Sequence, residues 1–174
     1  MSSGQTFVVP DQTTLEALAA EVGALLLVNG QRLATAESCT GGWVAQCLTA
    51  IAGSSEWFER GFVTYSNEAK QEMLGVDSAT LERHGAVSVA TAQAMAEGAQ
   101  RRSRADWAVA ITGIAGPSGG SPEKPVGMVC FGWAGPDGVD TDTRYFAGDR
   151  AQVRAQSVAH ALRGILQRAA LLRA

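Results

Sequence analysis

The chain has 174 residues, of which 46% are apolar and 18% charged, enough for one ordinary globular domain with a substantial core and unlike a disordered or fibrous chain. Fourteen basic against 17 acidic side chains leave a net charge of −3, so nucleic acid and anionic membrane surfaces are not expected partners, and an anionic ligand would need a local site. The longest apolar stretch, around Leu25–Val28, is far too short to span a bilayer, and no basic-then-apolar leader opens the chain.

Residues 1–11 are polar and aperiodic and read as a flexible lead-in to a single domain over 12–174. Thr13 or Thr14 can start a helix whose apolar positions Leu15, Leu18, Ala19, Val22, Leu25 and Leu26 keep helical spacing until Asn29-Gly30 ends it. A strand over 32–37 and a helix from Thr40 to about Ile51 follow. Gly53-Ser54-Ser55 breaks the chain before a second strand, Gly61–Tyr65. Ser66-Asn67 caps a short helix carrying Lys70, Ser78–His84 forms another helical turn or two closed by Gly85, and Ser88 caps a longer helix with Val89, Ala92, Met95, Ala96 and Ala99 on one side. Asp106–Thr112 is nearly continuous in apolar residues, as a central buried strand is. Two more strands, Val126–Trp133 and about Asp140–Phe146, flank the hairpin signal Gly135-Pro136-Asp137-Gly138. Asp149 caps a last helix with Val153, Val158, Leu162, Ile165 and Ala169 inward. Helices fall both between and outside the strands, which predicts an α/β fold: one three-layer α/β/α domain with a mixed central sheet.

Ser38 sits where the first strand turns into a helix, in Glu37-Ser38-Cys39-Thr40-Gly41-Gly42. The unpaired N–H groups of a helix N-terminus attract anions, and the two glycines allow close approach. Ser38 can therefore be a nucleophile beside an oxyanion site, or Ser38 and Thr40 can simply cap the helix. Lys70 falls in a first helical turn, where the helix dipole disfavours its charge by roughly 0.3–1 kcal/mol. That placement, with burial, favours a neutral amine; lowering a lysine pKa from about 10.4 to about 7.5 needs about 4 kcal/mol. A neutral lysine can take a serine proton directly or through a tyrosine hydroxyl, so Ser38, Tyr65 and Lys70 form a workable nucleophile–relay–base set; equally, Lys70 can be surface decoration.

The glycine-rich loop 113–121 is neither a Walker A motif nor a dinucleotide fingerprint, yet it leaves the carboxyl end of a central strand, where open α/β sheets bind ligands. It is either a phosphate or oxyanion cradle or a flexible connection. Arg150 and Arg154, one turn apart, could clamp a phosphate, but Arg163 and Arg168 downstream favour a solvated basic face, for Arg154 above all. Cys39 could itself be the nucleophile, although a buried structural cysteine is commoner. The three cysteines lack a CxxC and suit reduced thiols in a cytoplasm, and the two histidines, His84 and His160, lie too far apart for a metal site.

Thr35–Gly42, Gly61–Lys70, His84–Ser88 and Thr112–Pro117 together, in order and without large gaps from about residue 12 to 172, resemble the C-terminal domain family of the competence/damage-inducible protein CinA, in its stand-alone form. The chain lacks the additional N-terminal domain of full CinA, which favours that form. The resemblance implies hydrolysis of the carboxamide of nicotinamide mononucleotide to nicotinic acid mononucleotide and ammonia. By position it assigns Ser38 as nucleophile and Tyr65 and Lys70 as its activating partners, with Thr40, Gly41, Gly42, Thr112, Gly113, Ile114, Ala115 and Gly116 as walls of the substrate site. Arg150 is a weaker transfer, on the short match Gly148-Asp149-Arg150. No metal or cofactor is implied, and homodimers or larger homo-oligomers are left open. The rivals are a nucleotide-binding regulatory module without hydrolysis and a serine amidase for another small amide.

Overall fold

In a computed structural model, residues 8–171 are described. Helix α1 (Gln12–Asn29) starts from Asp11, whose carboxylate accepts the Thr14 N–H at 2.8 Å and the Thr14 hydroxyl at 2.7 Å. The helix therefore begins before the threonines that looked like its start, because a carboxylate cap precedes them. Most of the expected lead-in, residues 1–7, lies outside the described residues. Strand β1 (Leu33–Glu37) leads through Ser38 to α2 (Trp43–Thr49). The predicted start at Thr40 shifts to Trp43 because Gly41 and Gly42 take left-handed φ of 61° and 100°, which a right-handed helix cannot include.

A 3-10 turn (Ser54–Glu56) precedes β2 (Phe58–Val63). This strand begins and ends earlier than the predicted Gly61–Tyr65. The Thr64 N–H still reaches Glu37 O at 2.8 Å, but the Thr64 and Tyr65 carbonyls turn away towards Lys70. There follow α3 (Asn67–Leu74), α4 (Ser78–His84), α5 (Val89–Arg101), β3 (Trp107–Gly113), β4 (Met128–Gly135), β5 (Gly138–Tyr145) and α6 (Arg150–Leu171). Asp149 opens α6 as expected, accepting the Gln152 N–H at 2.9 Å while Gln152 Oε1 accepts the Asp149 N–H at 2.8 Å, a reciprocal cap.

The strands pair in the order β2-β1-β3-β4-β5; β2, β1 and β3 run parallel, and β4 and β5 return antiparallel through the two-residue turn at Pro136-Asp137. The predicted mixed sheet between helical layers is what forms. Its two faces differ in bulk. Leu33, Trp107, Val109, Ile111, Val129, Phe131 and Trp133 join the larger core with α1, α2 and α6. The opposite face carries Ala34, Ala36, Ala108, Ala110 and Ala134, against Met95, Ala96 and Ala99 of α5. Small side chains let α5 lie low on the sheet: a Cβ at Gly132 would stand 2.5 Å from Ala92 O. This packing brings the segment before α5 to the carboxyl ends of the parallel strands β1 and β3, where the chain leaving each strand opens a cleft.

Candidate active site

Ser66 caps α3 by accepting the Ala69 N–H at 3.0 Å, so Lys70 does sit in a first helical turn. Its side chain runs inward rather than out and is 1% exposed. Nζ lies 3.1 Å from Ser38 Oγ, 2.9 Å from Thr64 O and 3.3 Å from Tyr65 O. Burial holds its pKa below the usual lysine value. A neutral amine has two hydrogens and one lone pair. In that form the two carbonyls can take the hydrogens, leaving the lone pair for the Ser38 hydroxyl proton, whereas the charged form donates to Ser38 Oγ as well.

Ser38 is itself 8% exposed and fixed by its N–H, which donates to Ile111 O at 3.0 Å. It lines a cavity of about 180 Å³ with Lys70, Cys39 and the end of β3 at Thr112-Gly113. Ala86 and Val87 form the wall before α5, tied to β3 because the Thr112 hydroxyl donates to Ala86 O at 2.7 Å. Gly113 has no room for a side chain, since a Cβ would meet Val129 Cγ2 at 2.7 Å and Met128 O at 2.9 Å.

Tyr65 and Arg150 are the exposed members of the cavity lining. The Tyr65 hydroxyl accepts from Arg150 Nη2 at 3.2 Å, while Arg150 Nη1 donates to Gly116 O at 2.8 Å. Arg150 thus joins α6, the 113–121 loop and the segment after β2. The Tyr65 ring is 64% exposed; it is the carbonyl of this residue, not its hydroxyl, that meets Lys70.

Of the other sequence candidates, Ala115 lines the cavity, whereas Thr40, Gly41, Gly42, Ile114 and Gly116 do not. The Ile114 N–H is spent on Met128 O at 2.9 Å, and the Gly41 N–H on Ser38 O at 3.0 Å. The N–H groups at the start of α2 are also taken. Fully buried Glu37 accepts Val44 N–H at 2.9 Å and Ala45 N–H at 3.0 Å, so this helix end is capped by the protein's own carboxyl group. Desolvation raises the Glu37 pKa above the usual carboxylate value, against the pull of those N–H groups. An acidic residue inside a short strand gave no sign of this role in the sequence.

Arg154 corrects a second expectation. It is half-buried rather than part of a solvated face: Nε donates to Cys39 O at 3.0 Å, Nη2 donates to Thr40 O at 3.1 Å, and the guanidinium lies 5.3 Å from the centre of the Trp43 ring. Cys39 is buried, and burial pushes its thiol up to about 12, far from a thiolate at neutral pH. His84 closes α4, and His160 pairs with Asp142 at 2.9 Å beside Phe131 and Phe146. Among the described residues no group of His, Cys, Asp or Glu side chains is placed to hold a metal.

The cavity thus combines a buried serine, a buried lysine whose charge desolvation disfavours and a cationic rim, which suits acyl transfer from a small amide with an anionic remainder. The family model of the CinA C-terminal domain matches residues 15–169. Nicotinamide-nucleotide amidohydrolase PncC of Escherichia coli strain K12 is 56% identical over 151 residues, 86% of this chain and 92% of that protein. The PncC of Enterobacter agglomerans is 53% identical over 154 residues, 88% and 94% of the two chains. The crystal structure of competence/damage inducible protein CihA from Agrobacterium tumefaciens superposes with a TM-score of 0.86 at 47% identity, over 93% of this chain and 98% of that one.

Proposed function

The chain belongs to the CinA C-terminal domain family, and from that membership we propose that it hydrolyses the carboxamide of nicotinamide mononucleotide, giving nicotinic acid mononucleotide and ammonia by acyl transfer through Ser38. The observation that carries the mechanism is the 3.1 Å approach of a buried lysine Nζ to Ser38 Oγ. Ser38 Oγ bonds to the amide carbon, the carbonyl π pair moves onto oxygen, and the Ser38 proton passes to Lys70 Nζ. The oxyanion collapses, the C–N bond breaks, and Lys70 returns the proton to the departing nitrogen as ammonia. Water, deprotonated by the same amine, then attacks the acyl-serine; the bond to Ser38 Oγ breaks, Lys70 returns the proton to that oxygen, and the acid leaves.

Tyr65 serves this step through its carbonyl, which with Thr64 O orients the lone pair of Lys70 towards Ser38. Its hydroxyl stays with Arg150 at the rim. A cavity of about 180 Å³ is smaller than the roughly 300–1,000 Å³ of sites that enclose drug-sized ligands, so it takes the pyridine carboxamide and leaves the ribose phosphate outside. Arg150 is the cation at that edge and, in this reading, meets the phosphate. Three unpaired, buried cysteines suit a reducing cytoplasm, where we place the enzyme; no helix among the described residues is long and apolar enough to cross a membrane.

The test is ammonia release from nicotinamide mononucleotide by the purified protein with EDTA present, beside Ser38→Ala and Cys39→Ala. Release by wild type and Cys39→Ala but not by Ser38→Ala supports the assignment. Release that survives in Ser38→Ala overturns it, and nucleotide binding without any ammonia points instead to a regulatory module.

A further inference from the structure

The loop from Ser38 to Gly42 ends in two left-handed glycines, Gly41 and Gly42. The Ser38 N–H goes to Ile111 O at 3.0 Å, and the N–H groups that follow differ in whether another residue takes them. Those of Gly41 and Trp43 donate within the loop, to Ser38 O at 3.0 Å and Thr40 O at 3.1 Å. Those of Cys39 and Thr40 donate to no other residue among the described residues. They are two successive N–H groups immediately after the serine, and successive N–H groups in a turn can form an anion-binding concavity.

Their direction is set by the carbonyls of the same peptide planes, because in a trans peptide C=O and N–H point opposite ways. The Cys39 C=O is held by Arg154 Nε, which turns the Thr40 N–H away from α6. The Thr40 C=O is held by Arg154 Nη2, which fixes the plane that carries the Gly41 N–H. That N–H holds the Ser38 C=O, and so the Cys39 N–H is fixed in turn. Both of these N–H groups, which no other residue accepts, therefore trace back to one guanidinium. Arg154 is not among the side chains lining the cavity, unlike Arg150 one turn earlier on α6.

We propose that Arg154 is a positioning residue for acyl transfer: by gripping the Cys39 and Thr40 carbonyls from α6, it holds the loop so that the N–H of Cys39, which lines the cavity, receives the oxyanion formed on Ser38, with the Thr40 N–H next to it in the chain. The inference rests on the serine mechanism above and adds the donors and what aims them. An arginine is needed because two adjacent carbonyls require a rigid pair of parallel donors, which a lysine ammonium does not offer. The Trp43 ring at 5.3 Å holds the guanidinium plane.

The experiment compares wild type, Arg154→Ala and Arg154→Lys for kcat and KM on nicotinamide mononucleotide and on nicotinamide riboside, together with the rate at which a fluorophosphonate labels Ser38. Losing aligned oxyanion donors should lower kcat about 10²-fold or more in Arg154→Ala. KM should stay within about twofold, because Arg154 does not touch substrate. The loss should be equal with and without the phosphate, labelling should slow in parallel, and added methylguanidine should restore part of the activity. Arg154→Lys keeps charge and stem but only one donor point; it should show the same kcat-only loss and serves if Arg154→Ala does not fold. A rise in KM confined to the phosphorylated substrate would make Arg154 a phosphate ligand and overturn the proposal. Labelling of Ser38 at equal rates in wild type and Arg154→Ala would overturn it alone. An unlabelled Ser38 in a wild type whose turnover survives Ser38→Ala would overturn the serine mechanism and the proposal with it.

Discussion

Replacing Lys70 with methionine separates the chemistry of this residue from its packing. Methionine has a similar length and fills the same buried space, but offers neither a base nor a donor. General-base assistance is worth about 10²–10⁴-fold, so kcat should fall by that factor. Stability should change little at neutral pH, because two effects oppose each other. Removing a buried amine relieves a desolvation cost, while Thr64 O and Tyr65 O lose their donor at about 1–3 kcal/mol each if left unpaired, leaving the variant within about 2–3 kcal/mol of wild type.

The pH dependence of that difference is the sharper test. Burial lowers the Lys70 pKa in the folded protein, so between that lowered value and about 10.4 the unfolded chain binds a proton that the folded protein does not. Wild-type stability relative to Lys70→Met should therefore rise with pH through that window and level off above it; below it both states are protonated and the folded state carries the whole cost of burying the ammonium. Activity should climb over the same acidic limb as the amine loses its proton. Ammonia release and urea unfolding across a pH series measure both. A variant retaining more than about a tenth of wild-type kcat, or a stability difference that falls as pH rises, would refute the buried-base reasoning.

Three other outcomes follow from the contacts around the site. Glu37→Gln keeps one acceptor for Val44 and Ala45 N–H but sets an amide NH2 against the other, so urea unfolding should show a loss of about 1–3 kcal/mol, with reduced ammonia release as the loop after Ser38 loosens. Gly132→Ala places a Cβ 2.5 Å from Ala92 O and should cost about 1–3 kcal/mol in the same assay, and because α5 follows the Ala86-Val87 wall, turnover should drop as well. Free nicotinamide, lacking the ribose phosphate beside Arg150, should be turned over with kcat/KM lower by about 10²-fold or more, and equal turnover of base and nucleotide would contradict the rim assignment.

Ser38 and Lys70 could be singled out in the sequence because each occupies an unusual local position: a serine on a glycine-rich strand exit, a lysine in a first helical turn. Their meeting across 32 residues could not, since it depends on β1 and β2 lying side by side with α3 folded back over them. Tyr65 was legible as a residue near the site but not as a carbonyl donor of geometry, because side-chain chemistry says nothing about which backbone group a neighbour uses. Arg154 was misread for the same reason. Its partners are two backbone carbonyls without any sequence signature, and spacing among Arg150, Arg154, Arg163 and Arg168 looks like an exposed basic stripe. Glu37 passed unnoticed because period-2 reasoning treats an acid in a strand as facing water, whereas this one satisfies the first turn of the next helix. The late start of α2 was signalled by Gly41-Gly42, whose left-handed backbone outweighs the helical pattern beginning at Thr40.

The most direct test of the mechanism is to acid-quench the enzyme during turnover of nicotinamide mononucleotide and fragment the peptide spanning residues 36–43 by mass spectrometry. An ester-linked nicotinoyl nucleotide on Ser38, absent from Ser38→Ala, is the predicted result. An adduct on Cys39, or steady ammonia release from Ser38→Ala, would contradict acyl transfer through Ser38.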